Sequence, residues 1–187
     1  LQARYALDLR ILNALDFGVP QDRERVFIVG FQKKWLKKQF SSSAYKHINE
    51  ASEFLPLLTK LKPKEIFAEV THWFPWPVNS HFQGAKYKFN WPTKPVPLGH
   101  SPAKPACPDE LMVGTYICNE DRLALPNSSE GFQPKSAKFN TTLEGDVSRK
   151  SFKRLHRYKF SPAAAYGNNE VHLHPTLPRR LTVREAM

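Results

Sequence analysis

Two stretches with strand patterns open the chain. In the first, the apolar residues Tyr5, Leu7, Leu9 and Ile11 occupy every second position, a period of two that is typical of a strand with one buried face. The second stretch, residues 26–29, is a run of β-branched and aromatic residues, which favours another strand. Because the connection between them is short, the two strands are predicted to pair antiparallel.

The connection between these strands has a defined geometry of its own. Gly18 can take a positive φ, while Pro20 fixes its own φ and restricts Val19 to an extended conformation. This combination predicts a rigid turn. Counting by two from the turn places Arg23 and Arg25 side by side on one face of the second strand.

The pattern after the hairpin is weaker. Residues 32–39 gather four lysines around two apolar residues and favour a short helical connection with a solvated lysine face. Serines 41–43 predict a linker, and residues 54–67 have a weakly helical pattern that prolines interrupt. With 16 prolines and 8 glycines, the middle of the chain is predicted to be mostly loop with short strands, of which 111–118 is the best candidate.

Aromatic, proline and basic residues interleave between positions 72 and 97. Such a surface can stack on nucleic-acid bases. Alternatively, these aromatic side chains form the small core of an irregular domain, because aromatic residues dominate burial where a core is small. The second interpretation is favoured.

The composition limits the class of protein. A chain of 187 residues with 41% hydrophobic content has room for one ordinary domain, or for one small domain with pieces of another. A formal net charge of +11 indicates a polyanionic partner, for which nucleic acid is the first candidate. No apolar run approaches the ~20 residues needed to cross a bilayer, and no secretory signal opens the sequence, so a cytoplasmic protein is expected.

Patterns for disulfides and metal ions are weak. Cys107 and Cys118 are the two cysteines, and they form neither a disulfide framework nor a metal motif. His172 and His174 share the spacing of one strand face, but no cysteine or carboxylate pattern accompanies them. No metal site is assigned.

A basic stripe lies at residues 147–160, which contain no acidic residue. The segment is densely charged whether it forms a helix or a loop, and both conformations are left open. A solvated charge run is the simpler reading, but the net charge of the chain favours contact with phosphates. The candidate DNA-binding residues are Arg149, Lys150, Lys153, Arg154, Arg157 and Lys159.

Residues 18–25 read Gly-Val-Pro-Gln-Asp-Arg-Glu-Arg, and this segment resembles the eighth motif of the DNA (cytosine-5) methyltransferases. The resemblance implies that Arg25 hydrogen-bonds O2 of a flipped cytosine while a cysteine attacks the ring, with Arg23 beside it. Gln21, Arg23 and Arg25 are therefore the candidate catalytic residues. A guanidinium is suited to this task, because it stays charged and offers several fixed donors to the charge that builds on the ring carbonyl.

The C-terminal segment resembles the ninth motif of the same family, with a direct match at residues 180–185. Thr182 and Glu185 have the spacing of a capping box, which predicts that a helix begins there. Upstream, Ser-Pro at 161–162 resembles the end of the family's target recognition domain. Ala163 and Ala164 replace the usual threonine-containing dipeptide and remove a hydroxyl that lies near the recognition elements in the family.

The order of these motifs implies a fold and a division into domains. The fold class is an α+β fragment, in which a β-hairpin from the edge of a Rossmann-like methyltransferase sheet precedes an irregular, mostly β target recognition domain. Residues 1–40 would be part of the catalytic domain, 41–160 the target recognition domain, and 161–187 the ninth-motif segment that returns to the catalytic domain. The closest type is the prokaryotic restriction-modification enzyme.

The resemblance also implies what the complete reaction requires. The family takes methyl from S-adenosylmethionine and uses a Pro-Cys nucleophile, a Glu-Asn-Val acid and a Phe-x-Gly-x-Gly loop, and these motifs are not in this sequence. We therefore expect that this chain binds no S-adenosylmethionine and is inactive alone. Its expected partners are double-stranded DNA and the missing N-terminal catalytic half, as the same polypeptide or a separate subunit.

Other interpretations remain open. The helix predicted near the C-terminus is cut within its first turns, so we expect either a truncated chain or one that another subunit continues. A stand-alone, non-catalytic DNA-binding module is the main alternative. A basic structural or RNA-associated protein with accidental motif matches is a second one.

Overall fold

The computed structural model describes residues 3–53, 71–119, 126, 136–164 and 171–186. This part of the chain is mixed α/β, and each of its sheets has two strands. No helix in the described ranges is long and apolar enough to cross a membrane. The weakly helical segment predicted at 54–67 lies outside the described residues.

The described elements are short. In chain order they are strand β1 (Tyr5–Asn13), a 3-10 helix (Ala14–Phe17), strands β2 (Gln21–Asp22) and β3 (Glu24–Gln32), helices α1 (Lys33–Gln39), α2 (Ser42–Ala51) and α3 (Ala85–Lys88), a second 3-10 helix (Asp109–Leu111), helices α4 (Val113–Ile117) and α5 (Lys138–Thr141), strands β4 (Lys153–Arg154), β5 (Ser161–Pro162) and β6 (His172–Leu173), and helix α6 (Val183–Ala186).

Strands β1 and β3 form the predicted antiparallel hairpin. Their register runs from Tyr5 opposite Gln32 to Asn13 opposite Glu24. Both strands and their antiparallel pairing are therefore confirmed. The single buried face predicted for β1 is wrong, because Ala6 and Asp8 on the opposite face are inaccessible to solvent while Ile11 is 38% exposed. Arg23 lies between β2 and β3 and belongs to neither, so the predicted alternation that placed it on the same strand as Arg25 is wrong.

The chain divides into two compact units. The first unit contains Leu1–Asn13 and Glu24–Val78. Its buried residues are Ala6, Leu36 and Ile48, against which partly buried aromatic residues pack. Helix α1 confirms the helical connection predicted at 32–39.

Helix α2 corrects the prediction of a linker at residues 41–43. Ser41 is the N-cap residue of this helix, and its hydroxyl accepts a hydrogen bond from the backbone N–H of Ala44 at 3.3 Å. Serine is favoured at this position because its side chain satisfies a backbone donor that has no partner within the helix. The serines therefore begin a helix.

A buried carboxylate joins β1 to the segment at residues 72–74. Asp8 is inaccessible to solvent, and its Oδ2 accepts hydrogen bonds from the backbone N–H groups of Trp73 at 2.9 Å and Phe74 at 2.8 Å. The Nδ1 atom of His72 lies 2.9 Å from its Oδ1. The Trp73 indole donates to the Leu7 carbonyl at 2.9 Å. These contacts satisfy a carboxylate that would otherwise be costly to bury.

The second unit contains Ala14–Arg23 and Asn79–Met187. Its core contains Trp91, with further aromatic side chains packed around it, which confirms the preference for a core over a base-stacking surface for several of the residues at 72–97. Tyr87 is the exception, since it is 83% exposed. The core cluster comprises Leu15, Ala85, Trp91, Leu111 and Met112, with Phe82, Phe89, Tyr158 and Phe160 packed against it.

The strand predicted at 111–118 is wrong, because this segment is helical. A 3-10 helix ends at Leu111, and α4 follows from Val113 to Ile117. Val113 and Ile117 are both buried and lie four residues apart, a spacing that brings side chains to one face of a helix. A Cβ at Gly114 would lie only 2.5 Å from the Arg157 carbonyl oxygen, so glycine permits close packing there.

Helix α6 begins with the predicted capping box. The backbone N–H of Glu185 donates to Thr182 Oγ1 at 3.2 Å, and the Thr182 N–H donates to Glu185 Oε2 at 2.8 Å. The Arg179 guanidinium donates two further hydrogen bonds to the same carboxylate, at 2.7 and 2.8 Å. Together, the capping and side-chain hydrogen bonds lower the pKa of Glu185 even though burial opposes the shift.

Candidate functional site

The turn at residues 14–23 is closed by its own backbone. Ala14 N–H donates to the Arg23 carbonyl at 3.0 Å, and Val19 N–H donates to the Ala14 carbonyl at 3.2 Å. Gly18 has a φ of +89°, which confirms the predicted positive φ. Gln21 N–H bonds the Val19 carbonyl at 2.7 Å across Pro20. The eighth-motif turn is therefore a compact, hydrogen-bonded unit.

One side of this turn is held by residues 82–86. Asp16 Oδ1 accepts a hydrogen bond from Gly84 N–H at 3.0 Å, and Lys86 Nζ lies 2.7 Å from Asp22 Oδ2. A Cβ at Gly18 would lie 3.1 Å from the ring of Phe82. The turn is therefore closely packed against this segment.

The other side of the turn pairs with the Ser-Pro segment. Strand β2 is parallel to β5, with Gln21 opposite Ser161 and Asp22 opposite Pro162. The Ser161 N–H donates to the Pro20 carbonyl at 2.9 Å. The segment that the sequence assigns to the end of the target recognition domain thus lies directly beside the eighth-motif turn. Ala163 and Ala164 follow it and are half-buried.

The three candidate catalytic residues lie at the end of this turn and in the following strand. Gln21 is half-buried in β2, and Arg23 is half-buried directly after it. Arg25 is exposed in β3, opposite Leu12, and donates a hydrogen bond from its guanidinium to the Glu24 carbonyl at 2.7 Å. A guanidinium has five N–H donors, so this local contact leaves Arg25 able to bind another carbonyl oxygen.

Strand β3 exposes a continuous apolar run. Val26 is 54% exposed, Phe27 48% and Ile28 65%. Successive side chains of a strand point to opposite faces, so both faces of β3 present apolar surface to solvent. Strands that are buried on both faces have near-continuous apolar sequences of this kind.

The basic stripe at residues 147–160 is not helical. Its regular structure is limited to β4, which pairs parallel with β6, and Phe152 adopts a φ of +56° just before that strand. Arg149 and Lys150 are exposed, and Lys153 is half-buried. These three residues are the members of the stripe whose positions suit contact with phosphates.

Arg154 has a structural position instead, which corrects its assignment to the DNA-binding surface. Its side chain is inaccessible to solvent, and burial lowers its pKa. The guanidinium is satisfied by backbone carbonyl groups, as a buried cation requires. Its acceptors are the carbonyl oxygens of Thr142 at 2.8 Å, Leu177 at 2.6 Å, His174 at 2.5 Å and Phe139.

Arg157 and Lys159 are also held by partners within the second unit. Arg157 Nη2 lies 2.7 Å from Oε2 of the buried Glu144, and its Nε lies 2.9 Å from Oε1. This hydrogen bonding raises the pKa of Arg157. Lys159 Nζ donates to the Pro92 carbonyl at 2.9 Å, and burial lowers its pKa. Both partners lie outside the stripe, Glu144 three residues before it and Pro92 much earlier, so the charge pattern alone does not reveal them.

The cysteines and histidines show no shared site. Cys107 and Cys118 are free thiols, and burial raises the pKa of each. The described residues contain no group of three or more side chains suited to hold a metal ion. Burial, assisted by the neighbouring charge of Lys153, lowers the pKa of His172 to about 4.

Comparison with known proteins identifies relatives along the whole chain. The type II methyltransferase M.NmeDI from Neisseria meningitidis serogroup C is 37% identical over 186 residues, which cover 98% of this chain and 36% of the relative. The type II methyltransferase M.DdeI from Desulfomicrobium norvegicum is 24% identical over 189 residues, covering 97% of this chain and 43% of the relative. The chain thus spans well under half the length of these relatives. No solved structure matches significantly.

The family assignment rests on a match that extends over almost the whole chain. The family model for C-5 cytosine-specific DNA methylases matches residues 2–187. This range includes the hydrogen-bonded turn with Gly18, the exposed Arg25 and the capping box at Thr182. The sequence resemblance to this family is thereby confirmed, and the chain belongs to the C-5 cytosine-specific DNA methylases.

Proposed function

We propose that this chain is the DNA-recognition portion of a DNA (cytosine-5) methyltransferase of the prokaryotic restriction-modification type. The complete enzyme would transfer methyl from S-adenosylmethionine to C5 of a flipped cytosine, in the cytoplasm. The observation that carries the proposal is the eighth-motif turn, which is closed by backbone hydrogen bonds and precedes the exposed guanidinium of Arg25. The family match across residues 2–187 supports it.

Arg25 is proposed to bind O2 of the target cytosine. When a thiolate adds to C6, negative charge develops on the ring and its carbonyl oxygen, and a charged donor placed there stabilises that charge. Arg23 and Gln21 are proposed to assist catalysis as well, and the hydrogen-bonded turn holds their backbones. The target base must leave the duplex to reach such a site.

The apolar run of β3 is proposed to pack against the remaining catalytic half. These three side chains are already about half-buried, so covering the remainder of each contributes roughly half of the ~1.5–3 kcal/mol of full burial, which still favours association. In a Rossmann-like sheet, helices pack on both faces, and such helices of the catalytic half would cover Val26, Phe27 and Ile28. That half would bind S-adenosylmethionine, whereas this chain alone would bind none and transfer no methyl group.

Double-stranded DNA is proposed to contact the exposed members of the basic stripe. Arg149, Lys150 and Lys153 remain in this surface, while Arg154, Arg157 and Lys159 support the fold around it. The proposed domains remain 1–40 for part of the catalytic domain, 41–160 for target recognition and 161–187 for the ninth-motif segment.

The proposal is tested by Arg25→Ala in the complete enzyme, as one polypeptide or reconstituted from two. Removing a donor to a developing oxyanion costs about 10²–10³ in kcat. We expect a loss of this size, with DNA affinity changed less than about threefold, because the contact forms with the reacting base. Single-turnover methyl transfer and DNA titration measure the two quantities separately.

Two controls complete this test. Arg25→Lys keeps the charge but loses the planar fork, so it is expected to recover only part of the activity. The purified chain without the catalytic half is expected to bind DNA and to show no methyl transfer. Equal turnover of Arg25→Ala and the parent enzyme would refute the role of Arg25.

A further inference from the structure

We propose that Lys86 and Asp22 are positioning residues of the methyltransferase, whose ion pair ties helix α3 to the eighth-motif turn and so aligns the turn for the reaction. The inference rests on the proposed function, because it concerns the same turn. Neither residue needs to contact the cytosine. Asp22 lies directly between Gln21 and Arg23, so restraining Asp22 restrains both neighbours.

The contacts between the turn and residues 82–86 form a regular series. Every second residue of this segment lies beside the turn: the ring of Phe82 fills the space next to Gly18, the backbone N–H of Gly84 donates a hydrogen bond, and Nζ of Lys86 forms the ion pair. Their partners on the turn are Gly18, Asp16 and Asp22. Three separate attachment points restrict rotation as well as translation of the turn.

Packing of the intervening residue supports the same arrangement. Ala85 is inaccessible to solvent and belongs to the same core cluster as Leu15, which lies in the 3-10 helix at the start of the turn. Helix α3 is therefore anchored in the core beneath the turn while Lys86 reaches Asp22. A movement of α3 would be transmitted to the turn through both the core contact and the ion pair.

The ion pair is partly shielded from solvent. The side chain of Lys86 is 34% exposed and that of Asp22 is 22% exposed, and their closest atoms are 2.7 Å apart. A charge-assisted contact of this length constrains geometry more than a neutral one. The opposite side of the turn is fixed by the pairing of β2 with β5, so the ion pair acts on the side that α3 occupies.

The complete methyltransferase provides the test, with Lys86→Met, Asp22→Asn and the double variant measured together. We expect each single variant to lower kcat at saturating DNA and S-adenosylmethionine about tenfold, since small displacements of aligned groups reduce catalysis strongly. The KM for DNA is expected to change less than about twofold. The double variant is expected to lose no more than either single one, because both remove the same contact.

A matched ion pair elsewhere in the second unit serves as the control. Lys104 Nζ also lies 2.7 Å from Asp109 Oδ2, and neither residue contacts the turn in the interactions described here. Lys104→Met is expected to leave kcat unchanged. Thermal unfolding of all variants shows whether Lys86→Met and Lys104→Met differ in their effect on stability. Lys86→Arg, which retains the charge, is expected to restore most of kcat and remains informative if Lys86→Met folds poorly.

Three results would overturn the inference. The first is a normal kcat for Lys86→Met, and the second is a double variant whose losses multiply. The third is a higher KM with a weaker salt dependence of DNA binding, which would make Lys86 a phosphate contact. Measuring Arg25→Ala in the same assay distinguishes a failure of the proposed function from a failure of this inference. Full activity of Arg25→Ala refutes the proposed function. An inactive Arg25→Ala together with a normal kcat for Lys86→Met refutes only the positioning role.

Discussion

Replacing Arg154 with methionine tests whether this residue belongs to the fold or to the DNA surface. Methionine keeps an unbranched chain of similar length but has no charge and no N–H donors. In the structure, four backbone carbonyl groups accept hydrogen bonds from the buried guanidinium. Two of them, on Phe139 and Thr142, belong to or directly follow α5, and the other two lie at residues 174–177. Arg154→Met therefore disconnects two segments from β4.

The size of the effect follows from these contacts. Hydrogen bonds to a charged group contribute about 1.5–3 kcal/mol each, and a buried acceptor without a partner costs about 1–3 kcal/mol. Removing the buried cation also removes its desolvation cost, and the freed carbonyl groups partly relax toward water. We expect a net loss of about 3 kcal/mol in the free energy of unfolding, which corresponds to about 10 °C in Tm for a chain of this length.

Urea denaturation followed by circular dichroism measures this loss, with Arg149→Met as the matched control. Arg149 is exposed in the same stripe, so its replacement is expected to change the free energy of unfolding by less than about 0.5 kcal/mol. An Arg154→Met variant with the stability of the parent and a weaker salt dependence of DNA binding would refute the structural role. It would return Arg154 to the phosphate-binding surface.

Three further predictions use other features of the structure. Gly18→Ala is expected to lower the free energy of unfolding by about 1–2 kcal/mol, because φ is +89° and the new Cβ would crowd Phe82; urea midpoints measure it. The folded-state pKa of His172 is lowered to about 4, so between about pH 6.5 and 4 the unfolded chain binds a proton that the folded chain does not. The free energy of unfolding is therefore expected to decrease as the pH drops through this range, by up to about 1.4 kcal/mol per pH unit. Denaturation at pH 7 and 5 checks this, and His172→Gln should reduce the difference. Replacing Arg149 and Lys150 together with glutamine is expected to reduce the slope of log affinity against log salt by about 1.8, measured by fluorescence anisotropy with duplex DNA.

Local signals in the sequence predicted the parts of the fold that depend on near neighbours. The alternation from Tyr5 to Ile11, the positive φ of Gly18 and the capping box between Thr182 and Glu185 each involve residues close in sequence. Their physical causes act over one turn or one strand. The structure confirms the strand, the positive φ and the capping box, but not a single buried face of the strand, because Ala6 and Asp8 on the opposite face are fully buried.

Tertiary partners explain what the sequence did not reveal. The lysines and arginines at 147–160 look alike as a charge pattern, but Arg154 meets carbonyl groups up to 23 residues away and Arg157 meets Glu144. The segment at 111–118 has apolar residues that fit a strand equally well, and burial of Val113 with Ile117 selects the helix. The contact of Lys86 with Asp22 joins residues far apart in sequence, and no local pattern marks it.

The grouping of residues 14–23 with the second unit has a consequence for chimeric enzymes. Suppose that the recognition segments of two related enzymes are exchanged at a point after the hairpin. The turn would then come from one parent and residues 82–86 from the other. The two surfaces would then have to match at Gly18, at Asp16 and at Asp22. Crossover points are better placed so that the turn and residues 82–86 come from the same parent, with the strands β1 and β3 left to the recipient.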